Sequence, residues 1–283
     1  MKPLHNVRAG GALPALCLLA LGLTVLSTPV AASLTVQPAF VELDLSKGRP
    51  SEIVTVTNNS DQELRYRAKT VHFVYTEGGS FETVEPDGQS MADWIKFNPR
   101  EFTLGAGESR AIRLSVLAPG NLDDGEYWAA LRFEPLVGLM NRSEATDGKS
   151  VAIEVRASIL VPVVGRKGDL LFRCDLTELK AWRSEGGLAV VASVANVGTG
   201  RARVTGTYEV LDAAGEPVAD GPLGEDTILA GGRRSFERLV KGDYPPGEYT
   251  IRVRCTSKNF EDVLAGQTRV RDEAPSGCDR GTP

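Results

Sequence analysis

Histidine is nearly absent from this sequence, which has two in 283 residues. His5 lies at the start of the chain, and His72 lies in a strand-like segment next to Phe73. A Ser-His-Asp or Cys-His catalytic arrangement would have to use His72. No nucleophile motif accompanies it, so we expect His72 to be a packing or surface residue.

Other motifs that carry chemistry are also missing. The sequence has no glycine-rich phosphate loop between strand and helix, no metal-site spacing of histidine or cysteine, and no nucleophile elbow. We therefore expect no catalytic residue, no metal and no cofactor. Acidic residues are plentiful, which leaves a two-carboxylate glycosidase open, but Asp123-Asp124 and Glu225-Asp226 lie among turn residues, where solvated acids are ordinary.

The one long apolar run lies near the start of the chain. A basic beginning, an apolar segment from Leu13 to Leu26 and small residues before a cut at Ser33 have the pattern of a secretory signal. A membrane anchor is the alternative, but Pro14 and the short apolar length disfavour a spanning helix. We expect residues 1–32 to be removed and the mature chain to be periplasmic or secreted.

The charge of the mature chain disfavours a nucleic-acid partner. Residues 1–32 contain two basic and no acidic residues, so the formal net charge changes from −5 to −7 (−5 − 2). No basic patch interleaved with aromatic residues appears either. We interpret the mild acidity as a contribution to solubility.

Three of the four cysteines follow the predicted signal, because Cys17 lies within it. An oxidising compartment permits a disulfide, and the odd count leaves one thiol over. Cys174 and Cys255 end predicted strands, whereas Cys278 lies in a polar tail. The pair that we favour is Cys174 with Cys255, and three unpaired thiols remain the alternative.

Short apolar–polar runs separated by turn signals predict an all-β protein. The order of these signals repeats: residues 54–59 are echoed by residues 190–198, and residues 124–127 by residues 246–249. Strands at this spacing fit two immunoglobulin-like β-sandwich domains in tandem. The expected division is a signal peptide at 1–32, an N-terminal domain at 33–165, a C-terminal domain at 166–271 and a disordered tail at 272–283.

Five aromatic residues have expected places in these sandwiches. Tyr127 and Tyr249 lie where such a domain often has a tyrosine that bonds backbone at a corner, and simple core packing is the alternative. Trp94, Trp128 and Trp182 are expected in the core or at the domain junction.

The segment from Val151 to Val163 alternates along its whole length. Its odd positions are apolar and mostly β-branched, so it predicts one long strand with an apolar face. Pro162 cannot donate a ladder hydrogen bond, which puts that end at or beyond a sheet edge. Because exposed apolar edges recruit other chains, we expect a second sheet or a partner to cover this face.

Four segments before this strand resemble, in order, the periplasmic chaperones of the chaperone–usher pilus system: residues 34–43, 54–61, 97–116 and 125–135. The resemblance covers residues 33–165. It implies a periplasmic chaperone of pilus or fimbrial assembly, whose last strand in the first domain fills the groove of an incomplete pilin-like subunit.

The resemblance also implies site residues. The donated side chains would be Val151, Ile153, Val155, Ile159, Val161 and Val163. Glu134 matches an acid near the domain interface of the family, with Arg166 as the substitute for its arginine partner. The alternative for the apolar row is packing inside its own sandwich.

A second functional hypothesis is a structural or adhesive module of the cell envelope. The family holds the C-terminal carboxylate of its client with two basic residues in the interdomain cleft. The matching positions here are Ala39 or Phe40 and Ser158 or Leu160, and none is basic.

Overall fold

The structure of the protein is a computed structural model that describes residues 34–136, 139–144, 150–259 and 263–271. Side chains are described over the same ranges except 139–144 and 150–155. The predicted signal peptide, the predicted tail, Cys17 and Cys278 lie outside the described residues. The described backbone is built from β-strands with one short 3-10 turn, as the sequence predicts.

The strands are numbered in chain order. Those of the first half are β1 (Leu34–Gln37), β2 (Val41–Asp44), β3 (Ser51–Asn58), β4 (Leu64–Tyr75), β5 (Phe81–Val84), β6 (Ile95–Asn98), β7 (Glu101–Leu104), β8 (Ser109–Val116), β9 (Gly125–Pro135), β10 (Leu139–Glu144), β11 (Ser150–Val155) and β12 (Ile159–Lys167). Those of the second half are β13 (Cys174–Ser184), β14 (Gly187–Asn196), β15 (Ala202–Leu211), β16 (Pro217–Ile228), β17 (Arg233–Lys241), β18 (Tyr249–Ser257) and β19 (Leu264–Val270).

Two immunoglobulin-like sandwiches follow one another along the chain. In the first, a sheet of order β1-β3-β8-β6 faces a sheet of order β2-β12-β9-β4-β5, with β7 also paired to β4. In the second, β13-β14-β17 faces β16-β15-β18-β19. The strands β10 and β11 form a separate two-stranded ladder that follows β9. The predicted boundary between residues 165 and 166 stays a prediction.

Alternating side chains from facing sheets fill each sandwich. On β8, for example, Ile112, Leu114 and Val116 are buried while the residues between them are more exposed. The central strand β9 departs from this alternation, since residues 125–131 are all buried. Burial on both faces indicates that a second layer covers the outer face of β9.

That second layer comes from the second sandwich. Phe73, Trp128 and Ala130 of the first sandwich form one buried cluster with Leu229 and Ala230 of the second. The expectation for Trp128 is therefore confirmed. It is wrong for Trp182, which lies on β13 with 47% of its surface exposed.

Both predicted corner tyrosines make the backbone bond. The hydroxyl of Tyr127 donates to the carbonyl of Asp123 and that of Tyr249 to the carbonyl of Pro245, each at 3.1 Å and four residues upstream. Both rings are also buried in their cores. The two alternatives are therefore both true of these residues.

The sequence echo of residues 54–59 and 190–198 corresponds to one repeated hydrogen-bonding device. The buried amide of Asn58 donates to the carbonyls of Gln62 and Leu104 (2.7 and 3.1 Å). The amide of Asn196 donates in the same way to Gly200 and Ile228, both at 2.9 Å. In each sandwich one asparagine thus ties its own turn to a loop of the facing sheet.

Candidate functional site

The candidate site is the edge of β12 and of the hairpin strand that precedes it. β12 pairs antiparallel with β9 from Ile159 to Lys167. On its other side it pairs parallel with β2, but only from Val163 to Arg166. Among the described strands, residues 159–162 therefore have a neighbour on one side only, and so does β11, which pairs with β10.

The predicted single strand of residues 151–163 is divided in the structure. β11 ends at Val155, residues 156–158 belong to no strand, and β12 begins at Ile159. Pro162 directly precedes the pairing with β2, on the open part of the edge, as its missing N–H predicts.

Two of the proposed donor side chains belong to the interior of the first sandwich. Val161 and Val163 are 1% and 0% exposed and lie in its main core. The reason is that the odd side chains of β12 at these two positions point toward the facing sheet, on the buried face of the strand. For these two residues the alternative of internal packing holds, and we no longer assign them to a partner.

The other four members of the row differ. Ile159 is half-buried at the margin of the same core. Val151, Ile153 and Val155 lie on β11, where they pair with residues 143, 141 and 139 of β10. Their side chains lie outside the described residues.

The junction between the sandwiches contains a buried acid that the sequence analysis missed. The carboxylate of Glu126 accepts from the Arg166 side chain at 2.8 Å and from the Arg201 side chain at 3.0 Å. It also accepts from the backbone N–H of Arg201 at 2.7 Å. Glu42 pairs with the same two guanidinium groups (2.6 and 2.5 Å), so two acids balance two arginines.

The predicted interface acid lies elsewhere. Glu134 pairs with Lys69 at 2.8 Å and with Arg132 at 3.0 Å, both on neighbouring positions of its own sheet. Glu134 is thus paired within its own sheet, whereas Glu126 and Glu42 contact Arg201 of the second sandwich, and Arg166 does lie beside Glu126. The repeated Gly-Glu-Tyr of residues 125–127 and 247–249 was the available signal for Glu126.

Phe40 occupies one of the positions where the resemblance places a basic residue. It is partly exposed, and the guanidinium of Arg201 lies 4.7 Å from its ring centroid. A positive charge is therefore present beside this position, but it comes from the second sandwich and is shared with Glu42 and Glu126.

The remaining candidates for chemistry are engaged in structure. His72 is buried and stacks on Trp128, with Nε2 3.1 Å from Asp87 and Nδ1 3.3 Å from the Trp128 carbonyl, so it is a packing residue. The side chains of Glu225 and Asp226 pair with two different arginines, Arg203 and Arg234. Over the described ranges, no cluster of three or more His, Cys, Asp or Glu side chains is placed to hold a metal ion.

Among the residues that the structure describes, no helix is long and apolar enough to span a membrane. Cys174 and Cys255 are buried, free thiols in the structure.

No family model and no curated protein matches this chain. Several solved structures do match this chain. The chain is similar to one described as a chaperone–tip adhesin complex of CFA/I fimbriae (15% identity, TM-score 0.46, covering 86% of this chain and 100% of that one). It is also similar to the CsuC–CsuE chaperone–tip adhesion subunit complex of Acinetobacter baumannii (12%, 0.43, 85% and 99%) and to the Pseudomonas aeruginosa chaperone CupB2 (11%, 0.41, 83% and 100%). These identities and TM-scores are low, and the solved structures named here are those of chaperones, two of them of fimbriae or pili.

Proposed function

We propose that this chain is an exported, chaperone-like protein that holds a subunit of a surface fibre by β-strand addition. The observation that carries the proposal is the open edge formed by β11 and residues 159–162 of β12. A strand with free N–H and C=O groups is a template for another strand. Binding of an extended segment to such an edge supplies main-chain hydrogen bonds, while alternate side chains supply specificity.

The hairpin makes this edge long. Ile159 pairs with Phe133 in the β9–β12 ladder, and Val155 pairs with Leu139 in the β10–β11 ladder, so the two ladders follow one another along the chain with residues 156–158 between them. From residue 150 to residue 162 the edge measures at most about 40 Å, at about 3.3 Å per residue. A strand of ordinary length, roughly five or six residues, fits on it.

The edge also has a defined end. β2 takes up the pairing positions of β12 from Val163 onward. A partner strand that runs along the edge must therefore stop or turn away next to Pro162, close to the start of β2. This limits the binding segment to residues 150–162 and leaves Val161 as a core residue within it.

The side chains proposed to contact the partner are Val151, Ile153, Val155 and Ile159. Full burial of one Val or Ile side chain contributes about 1.5–3 kcal/mol. Burial of the three β11 residues in a groove of the partner would thus supply several kcal/mol in addition to the main-chain bonds. Two acidic substitutions on this strand should therefore be enough to abolish capture.

Co-purification tests the proposal. The full chain, expressed with an affinity tag and exported, should carry a fibre subunit with it, and Ile153→Asp together with Val155→Asp should lower the yield of that subunit at least tenfold. Ile53→Asp is the matched control, because Ile53 is an exposed apolar residue on β3 of the other sheet. Undiminished capture by a double variant with a wild-type circular dichroism spectrum would rule out this edge as the binding site.

One observation favours the alternative of a structural or adhesive envelope module. The cationic group beside Phe40 is already paired with two acids, so it is a poor anchor for the carboxylate of a client that has to be released. Recovery of a stable envelope assembly in the same experiment, with no soluble subunit, would support this second function over the first.

A further inference from the structure

We propose that Cys174 and Cys255 form a disulfide that links the two sheets of the second sandwich, and that this bond forms before the sandwich closes. The proposal concerns the maturation of the second sandwich and is independent of the strand edge. It rests on the placement of the two thiols, on their burial and on their surroundings.

The topology brings the two residues to the same end of the sandwich. Cys174 begins β13 and is paired with Asn196, the last residue of β14. The chain then crosses to the facing sheet, where β15 begins at Ala202 and pairs with the end of β18. Cys255 lies on that end of β18, opposite Gly206.

Side-chain contacts two residues further along support the same alignment. The strand β13 packs against β19, which is the neighbour of β18. A Cβ placed on Gly266 would lie 2.7 Å from a methyl group of Leu176, and Gly266 is the residue paired with Val253. Cys174 lies two residues before Leu176 on β13, and Cys255 lies two residues after Val253 on β18. Because side chains alternate between the faces of a strand, both cysteines share the inward face of these neighbours.

The surroundings leave room for a bond between the sheets. Gly206 carries no side chain, and a Cβ there would already lie 3.6 Å from the Cys255 sulfur. Both cysteines belong to one core cluster together with Val204 and Val253. Burial is the main cause that raises the pKa of the Cys174 thiol, and the charges of Asp175 and Cys255 raise it further.

Burial decides when the bond can form. Cys174 is 4% exposed and Cys255 is 0% exposed. Burial raises the pKa of each thiol to about 11. Because the thiolate is the nucleophile, the folded protein has neither the access nor the ionised sulfur that exchange requires, whereas an unfolded chain has both.

The chemistry balances with a disulfide as the oxidant. One cysteine thiolate attacks a sulfur of an external disulfide, which releases one thiol and leaves a mixed disulfide on the chain. The second cysteine thiolate then attacks the chain sulfur of that mixed disulfide and releases the second external thiol. Two protein thiols are oxidised, one external disulfide is reduced, and both thiol protons end on the released thiols.

Refolding of the full chain with glutathione as the probe tests the proposal. One sample of reduced chain is refolded from denaturant in a glutathione buffer, and a second sample is folded under reducing conditions and then placed in the same buffer. Peptides from a non-reducing digest are identified by mass spectrometry. We expect the Cys174–Cys255 cross-linked peptide in most molecules of the first sample, and its formation at least tenfold more slowly in the second.

Two results would overturn the proposal. A refolded sample whose cross-linked peptides contain mainly Cys17 or Cys278, or in which Cys174 and Cys255 stay reduced, removes the pairing. Equal rates in the two samples remove the claim that the bond precedes closure.

Two matched variants serve as controls. Cys278→Ser should keep the cross-linked peptide, and Cys255→Ala should lose it. If Cys255→Ala fails to fold, the peptide map of the wild-type chain still shows whether Cys174 and Cys255 are paired.

Discussion

Glu126 and Glu248 occupy the same position in the two sandwiches, directly before the corner tyrosine. Glu126 pairs with Arg166 at 2.8 Å, and Glu248 pairs with Arg271 at 2.6 Å. The surroundings differ: the side chain of Glu126 is 0% exposed, while that of Glu248 is 36% exposed. One repeated ion pair thus has a fully buried acid in one copy and a partly exposed acid in the other.

The difference shows how a repeated domain acquires an interface. The second sandwich covers Glu126 and adds Arg201 to its partners, while the side chain of Glu248 pairs at the surface with Arg269 and Arg271. A second difference follows the same strands. Six residues of sequence separate β18 from β19, whereas the β9–β12 connection carries the additional hairpin of β10 and β11. The first sandwich therefore contains both features proposed here for association, one toward its neighbour domain and one toward a partner.

Removal of the buried acid is expected to have the largest effect. Glu126→Gln leaves Arg166 and Arg201 with one fewer counter-charge in a buried junction, and breaking a buried pair in this way costs about 3–5 kcal/mol. Glu248→Gln removes the equivalent charge from an exposed pair and should cost less than about 1 kcal/mol. Urea unfolding of both variants measures the difference in the free energy of unfolding. Equal losses in the two variants would show that the junction network is as weak as a surface ion pair.

Oxidation should stabilise the second sandwich, because its core contains two thiols. A disulfide between Cys174 and Cys255 closes a loop of roughly 80 residues, and disulfides typically stabilise a protein by about 2–4 kcal/mol. Urea unfolding at pH 7 of the oxidised chain and of the chain kept reduced measures this difference. A free energy of unfolding that does not change with oxidation would contradict the expectation.

The same two states should respond differently to alkaline pH. In the reduced folded chain the pKa of each thiol is raised from 9.0 to about 11, so between these values the unfolded state has lost thiol protons that the folded state retains. The thiols therefore make the reduced chain less stable as pH rises from about 9 to 11. The oxidised chain has no such titration at these two residues, and the gap between the two unfolding curves should widen over that window.

The contrast between Glu126 and Glu134 shows which features of the site the sequence predicts and which it does not. Both lie on the same face of β9, eight residues apart, which is about 26 Å along a strand. Alternation predicts the shared face, but only the position of the second sandwich decides which acid it covers. The row from Val151 to Val163 has the same limit. Its pattern predicts a strand with one apolar face, but it does not decide whether that face meets a partner or, as for Val161 and Val163, the core of its own sandwich.

The repeated asparagines, in contrast, were visible as an echo of short segments and have one role in both copies. Asn58→Ala and Asn196→Ala should each cost roughly 2–3 kcal/mol, because buried carbonyls lose their donor. The two losses should agree within about 1 kcal/mol, since the two amides have matching partners. Thermal and urea unfolding of the two variants would check this, and a much smaller loss in one of them would mean that the devices are equivalent only in geometry.

Substitution of the corner tyrosines is expected to have the smallest effect on stability, and it tests most directly whether the two sandwiches are equivalent. Tyr127→Phe and Tyr249→Phe each remove one hydroxyl that donates to a backbone carbonyl at 3.1 Å, while the buried ring remains. A hydrogen bond of this kind contributes about 0.5–1.5 kcal/mol, so both variants should be destabilised by that amount. Desolvation raises the pKa of Tyr127, so its hydroxyl keeps its proton, and with it the bond, at neutral pH and beyond. If only Tyr127→Phe lowers the free energy of unfolding, the corner bond stabilises only the sandwich that also carries the interdomain junction. The two corners would then share a geometry but not an energetic contribution.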